Sequence, residues 1–195
     1  MNGIILASGF SRRMGKNKLL MNFGEEVILQ KVIREIKKSN ITKIILVARE
    51  DNVIKLGIDE GIQVIKNDFA IYGQSYSIKL GLAKADLDNN FMFFCGDQPF
   101  IDYYSINKLI GFSLMSKDSI IIPRVKDKIG SPIIFPKFLK NELESLEGDV
   151  GGRKVIKDNQ DKVKYFDLDN ELFLQDIDTL EDYKRFITIN KWNNK

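Results

Sequence analysis

The sequence predicts a single-domain α/β protein, a mainly parallel sheet flanked by helices with a small antiparallel extension. Three observations predict it. Short apolar runs alternate with helical patterns through residue 123, the rhythm of repeated strand–helix–strand units. The run Phe91-Met92-Phe93-Phe94-Cys95 is apolar at every position, as a strand covered on both faces must be. At 195 residues, 44% hydrophobic and 29% charged, the chain is long enough for one well-filled core, and it shows no internal repeat, linker or low-complexity tract.

The elements follow in order. Residues 3–7, Gly-Ile-Ile-Leu-Ala, read as a buried first strand. Val27, Ile28, Val32, Ile33 and Ile36 then recur at helical spacing with Lys31, Arg34 and Lys37 on the polar side, so a helix begins near Glu25. Residues 44–48 and 62–65 form the second and third strands. Residues 75–85 form a helix with Ile78, Leu82 and Ala85 on one face, weakened by Gly81. The strand at 91–95 leads into a helix over 103–114 and a strand over 119–123. Beyond it the rhythm changes, and residues 133–135 and 163–166 read as strands of the antiparallel extension. A helix over 180–190 closes the domain at residues 1–190, and 191–195 read as a frayed tail.

Composition removes several function classes. There is no histidine and one cysteine, which excludes Ser-His-Asp and Cys-His catalysis, most zinc sites and an internal disulfide. A metal here takes oxygen ligands, which points to Mg²⁺ or a similar hard cation. The net charge of +3 suits an anionic small ligand and gives no sign of a nucleic-acid partner. No apolar run approaches the about 20 residues of a membrane span. The N-terminus lacks the pattern of a signal peptide, so the expected location is the reducing cytoplasm.

Two segments carry the chemistry. The first is Leu6-Ala7-Ser8-Gly9-Phe10-Ser11-Arg12-Arg13-Met14-Gly15-Lys16-Asn17-Lys18, directly after the first strand. Gly9 and Gly15 leave backbone N–H groups open to an anion, and Arg12, Arg13, Lys16 and Lys18 supply positive charge suited to phosphate oxygens. It is not a P-loop, because the glycines stand one residue too far apart and Asn17 follows Lys16. It is not a dinucleotide fingerprint either, because Gly9-Phe10-Ser11 lacks the second glycine. The plain alternative is a basic surface loop. The second segment is Cys95-Gly96-Asp97-Gln98-Pro99, at the carboxyl end of the central strand. It reads either as a turn with Asp97 as a cap or, beside a phosphate loop, as a carboxylate for the Mg²⁺ of a triphosphate. Cys95 itself reads as a core thiol.

The first segment matches L-A-x-G-x-S-x-R-M-G-x-x-K at every fixed position from Leu6 to Lys18, and so resembles the MobA-like nucleotidyltransferases. The resemblance runs in order from Gly3 to about Tyr183. It implies a Rossmann-like fold of the nucleotide-diphospho-sugar transferase type and transfer of a nucleotidyl group from an NTP to a phosphate-bearing acceptor, with release of pyrophosphate. It implies catalytic roles for Arg13, Lys18 and Asp97. It places Leu6, Ala7, Ser8, Gly9, Ser11, Arg12 and Gly15 at the nucleotide, and Ser75 and Ser77 of Gly73-Gln74-Ser75-Tyr76-Ser77-Ile78 beside it, although both serines also read as helix caps. It assigns Asp97 to Mg²⁺, joined by Asp176 or Asp178 from Asp176-Ile177-Asp178-Thr179-Leu180-Glu181-Asp182, where Asp178 or Thr179 also reads as a cap. The family usually has proline where Leu180 stands.

Within the resemblance, Gly130-Ser131-Pro132, Asp149 and Arg153 fall on the acceptor side. CTP-using members carry L-A-A-G and GTP-using members L-A-G-G. Leu6-Ala7-Ser8-Gly9 is neither, but the Ser8 side chain crowds a purine, so CTP is favoured. The leading expectation is cytidylyl transfer to a molybdopterin-type acceptor. The alternatives are guanylyl transfer, activation of another phosphorylated small molecule such as a sugar or polyol phosphate, or a non-catalytic accessory protein that hands cofactor to a molybdoenzyme apoprotein. Hydride transfer is disfavoured by the missing fingerprint.

Overall fold

A computed structural model describes residues 1–10, 14, 15 and 17–193, with side chains as far as residue 189. In chain order the elements are β1 (Asn2–Ala7), β2 (Asn22–Phe23), β3 (Glu26–Val27), α1 (Ile28–Lys38), β4 (Lys43–Ala48), α2 (Asp51–Asp59), β5 (Gln63–Lys66), α3 (Gln74–Leu82) and β6 (Phe91–Cys95). There follow α4 (Tyr103–Met115), β7 (Ile120–Val125), β8 (Lys128–Ile129), β9 (Ile133–Phe135), α5 (Lys140–Glu144), α6 (Arg153–Asp158), β10 (Val163–Asp167) and α7 (Leu180–Asn193).

One eight-stranded sheet has the order β10-β7-β9-β6-β1-β4-β5, with β8 beside β7. Strands β5, β4, β1 and β6 are parallel to their neighbours in that run. Residues alternate between its two faces as the pleat requires. Ile5, Met92, Phe94 and Leu46 pack with α1 and α4, whereas Ile4, Ile45, Phe91 and Phe93 pack with Ile78 and Leu82 of α3 and Leu143 of α5. Gly81 is the close contact of α3 with β1: a Cβ there would lie 2.5 Å from Ile4 Cγ2. What reads as a weak point of the helix is its packing face.

The antiparallel extension is smaller than expected. Strand β9 is antiparallel to β6 and β7, and β8 to β7, but β10 pairs β7 in parallel over Val163–Asp167. The chain between β9 and β10 holds α5 and α6; it returns antiparallel to β9 but on the far side of β7, which itself runs against β9, so β10 and β7 point the same way. The first helix starts at Ile28 and not near Glu25, because β2 and β3 form a hairpin around Gly24. Helix α2 was not anticipated. Val53 and Gly57 are buried in it and Ile54 and Leu56 are half-buried against the core, so its apolar face is short.

A third apolar cluster, Met14, Met21, Phe23, Ile28, Phe100, Ile177 and Phe186, seats the hairpin and α7 against the end of the sheet. This packing positions the site. The chain leaves β1 toward β4 and β5, then crosses back to lay β6 on the other side of β1. The crevice between the carboxyl ends of β1 and β6 is therefore the switch point at which open α/β sheets bind ligands.

Candidate active site

A cleft of about 560 Å³ opens along that crevice. Leu6, Ala7, Ser8, Gly9 and Phe10 from the end of β1 line it, with Lys18, and so do Cys95, Gly96 and Asp97 from the end of β6. Among the described residues, chain neighbours aside, no atom lies within 4 Å of where a Cβ on Gly9 would stand, so its missing side chain leaves cleft volume open. Gly15 has φ 67° and is exposed, and it does not contribute to the lining. Ser11, Arg12, Arg13 and Lys16 lie outside the described residues.

The charged end of the cleft is built around one lysine. Lys18 Nζ is 2.6 Å from Asp97 Oδ2 and 2.8 Å from Asp178 Oδ1, at a site largely closed to water. Burial disfavours the ammonium, but Coulombic attraction and hydrogen bonds from Asp97 and Asp178 outweigh it, and the lysine is held above its ordinary pKa. Asp178 can reach Lys18 because it is not the cap of α7. Thr179 and Asp182 form a reciprocal capping box: the Asp182 N–H donates to Thr179 Oγ1 (3.1 Å) and the Thr179 N–H to Asp182 Oδ2 (3.0 Å). Helix α7 then begins at Leu180, the first helical position, where proline is also well tolerated.

Asp176 belongs to the same acidic group. The adjoining Ile177 N–H donates to the Asp97 carbonyl at 3.1 Å. Burial, then the charges of Asp97 and Asp178, push the Asp176 carboxyl above its usual range. Asp97 and Asp178 converge on a single point, and oxygen donors of this kind suit a hard divalent cation. Among the described residues, no three His, Cys, Asp or Glu side chains form a preassembled metal cage. Two carboxylates alone would make only part of a coordination shell.

The other end is neutral and hydrogen-bonded. Ser8 Oγ donates to the Val47 carbonyl at 3.2 Å, and Asn67 Nδ2 donates to both Ser8 Oγ (3.3 Å) and Ser77 Oγ (2.9 Å). Asn67 is wholly buried. The sequence gives little hint of it, since an asparagine between Lys66 and Asp68 reads as an ordinary turn residue. The two serines of α3 separate in role. Ser77 lines the cleft, whereas Ser75 does not and donates to the Gly148 carbonyl at 2.7 Å.

Neither serine caps α3. Its first residue is preceded by Gly73, with φ 96°, where a Cβ would lie 2.4 Å from Asp149 Cα. The segment at Gly148–Asp149 thus packs directly on the helix start. Asp149 accepts from the Gln74 N–H at 3.1 Å, so the positive end of α3 already holds a carboxylate of the protein. Asp149 lines the cleft and Arg153 does not.

Cys95 donates to Ser131 Oγ at 3.5 Å. Burial, with the nearby Asp97 charge, pushes its thiol up to about 12, which makes it inert as a nucleophile. A brace that sequence reasoning missed holds the far end of the first loop. Asn17 Nδ2 and Arg49 Nη2 each lie 2.6 Å from a carboxylate oxygen of Glu50, and Arg49 stacks over Phe10 at 4.5 Å.

Residues 3–163 match the model of the MobA-like NTP transferase domain. The purine catabolism protein PucB of Bacillus subtilis is 24% identical over 93% of each chain. A probable molybdenum cofactor guanylyltransferase of Pelotomaculum thermopropionicum is 33% identical over 51% of this chain and 46% of its own. The crystal structure of Rv0371c from Mycobacterium tuberculosis in complex with manganese superposes with a TM-score of 0.81 at 22% identity, covering 96% of this chain and 97% of that one. No helix among the described residues is long and apolar enough to cross a membrane.

Proposed function

The chain belongs to the MobA-like NTP transferase domain family, and we propose that it moves CMP from CTP to a phosphate-bearing acceptor of the molybdopterin type, releasing pyrophosphate. The observation that carries this reading is the lysine held between two carboxylates at the switch point of the sheet. Attack on an α-phosphorus needs positioning and charge neutralisation more than a covalent nucleophile. Lys18 has the charge to neutralise the departing pyrophosphate, and Arg13 joins it on the strength of the family motif. Leu6, Ala7, Ser8 and Gly9 bind the nucleotide from the end of β1, with Ser11, Arg12 and Gly15 assigned beside them by the same motif. Ser77 faces the nucleotide, and Ser75 holds the loop that closes over α3.

Asp97 and Asp178 are the residues that would hold Mg²⁺ or Mn²⁺, and the manganese complex of the Mycobacterium tuberculosis relative supports a divalent ion. Such an ion supplies Lewis-acid charge to phosphate oxygens when bound. The acceptor phosphate is already anionic, which fits a site whose chain has no histidine base. Molybdopterin as acceptor is supported by the relative named as a guanylyltransferase of that cofactor. That name also makes GTP the competing donor.

Pyrophosphate release decides between the readings. The purified protein with MgCl₂ is offered each of the four NTPs against molybdenum cofactor, glucose 1-phosphate and glycerol phosphate. CTP with molybdenum cofactor is expected to give turnover. GTP turnover would reassign the base, and turnover with a sugar or polyol phosphate would reassign the acceptor. Magnesium-dependent nucleotide binding without any turnover would make the protein an accessory carrier.

A further inference from the structure

Asn67 connects to both serines of the neutral end and makes no contact with solvent. The orientation of its amide is fixed by a group that can only donate: the Phe69 N–H points at Asn67 Oδ1 at 3.1 Å. Both hydrogens of Nδ2 are therefore turned toward Ser8 and Ser77. Ser8 has spent its one proton on the Val47 carbonyl and accepts from Asn67, so it presents a lone pair to the cleft. Ser77 accepts from Asn67 and has no other hydrogen bond among the described residues, so its own proton remains to donate. A hydroxyl has one donor and two acceptor sites, and Asn67 thereby decides which of them each serine shows.

We propose that Asn67 is a positioning residue that fixes this polarity, acceptor at Ser8 and donor at Ser77, and thereby selects cytosine over uracil in the bound nucleotide. The proposal rests on the nucleotidyl-transfer reading above. Cytosine offers an exocyclic amine beside a ring acceptor, which complements the pair. Uracil offers a carbonyl beside a ring N–H, the same positions with both polarities reversed. A site built to hydrogen-bond one pattern rejects its inverse because buried groups are left unpaired. Asn67→Asp reverses the control: a carboxylate there can only accept, so it draws the Ser77 proton inward and leaves lone pairs facing the cleft.

The test is calorimetric titration of CTP, UTP, GTP and inorganic tripolyphosphate, each with Mg²⁺, into wild type, Asn67→Asp and Ser77→Ala. Wild type is expected to bind CTP about tenfold or more tighter than UTP, and Asn67→Asp to bring the two within about threefold without changing tripolyphosphate. An unchanged CTP/UTP ratio in Asn67→Asp, or an equal loss of CTP, UTP and tripolyphosphate, overturns the proposal. If Asn67→Asp does not fold, Ser77→Ala decides: it must weaken CTP while sparing UTP and tripolyphosphate. Wild type that prefers GTP, or binds CTP and UTP alike, defeats this inference and leaves the transferase reading standing. Wild type that binds no nucleotide at all defeats the transferase reading first.

Discussion

The two ends of the cleft solve opposite problems. Over β6 the groups are charged and satisfied by one another: Lys18 stands between Asp97 and Asp178. Over β4 and β5 they are neutral and satisfied by the scaffold: Ser8 by Val47 and Asn67, Ser77 by Asn67, and Asn67 by the backbone of Phe69. A mutually compensated ion cluster can exchange partners when a triphosphate and its cation arrive, because the incoming charges replace the old ones. A scaffolded hydrogen-bond set resists rearrangement, since every move strands a buried polar group. The first arrangement suits phosphate chemistry and the second suits recognition of a base.

The largest effect should fall at the charged end. Asp97→Asn is expected to lower kcat/KM by about a thousandfold while leaving circular dichroism and Tm close to wild type. Activity within tenfold of wild type would remove Asp97 from the chemistry and dissolve the distinction between the two ends.

Lys18→Met comes next, with an expected loss of about a hundredfold in kcat/KM. It carries a second readout. With the ammonium gone, Asp97 and Asp178 face each other uncompensated, and nucleotide-free protein should bind Mn²⁺ about tenfold more tightly, followed by electron paramagnetic resonance. Unchanged Mn²⁺ affinity would show that the lysine does not compete for the cation position.

A smaller effect should come from Asp149→Ala, which removes the carboxylate at the start of α3. Loss of a helix cap costs about 1 kcal/mol, and a fall in Tm of about 2–4 °C is expected by differential scanning calorimetry. Tripolyphosphate affinity should not fall. A clear fall would put phosphates at the neutral end and invert the assignment of the two halves.

Much of the charged end was readable in the sequence and much of the neutral end was not, for a physical reason. Lys18 and Asp97 sit in motifs whose residue types announce ion chemistry, and Asp176 and Asp178 share one short run. Polarity at the neutral end depends on Asn67, which is 59 positions from Ser8 and 10 from Ser77, and no local pattern distinguishes a buried asparagine from one in a turn. The same division runs through the fold. The strands at 91–95 and 44–48 announce themselves because both faces are covered. Helix α2 does not, because its apolar face is short and one of its two buried residues is a glycine. The direction of β10 is decided by the neighbour it joins, β7, whereas its own sequence says only that it is a strand.

Asp176 and Asp178 flank Ile177 and differ in direction: Asp178 meets Lys18 and lines the cleft, and Asp176 does neither. Asp178→Asn should therefore abolish tight Mn²⁺ binding in the presence of CTP, and Asp176→Asn should retain it. The Asp176 carboxyl is raised in the folded protein by burial and by the Asp97 and Asp178 charges, so the folded state holds its proton longer than the unfolded chain does. Stability from this group is full below the ordinary carboxylate pKa and falls as pH rises through the window up to the raised value. Asparagine cannot ionise, so Asp176→Asn should match wild type in acid and exceed it above that window, by about 1 °C in Tm because Asp176 itself is exposed. A Tm difference that does not vary with pH would mean that neither burial nor the Asp97 and Asp178 charges act on Asp176. Loss of Mn²⁺ binding in Asp176→Asn would instead move the ligand from Asp178 to its neighbour.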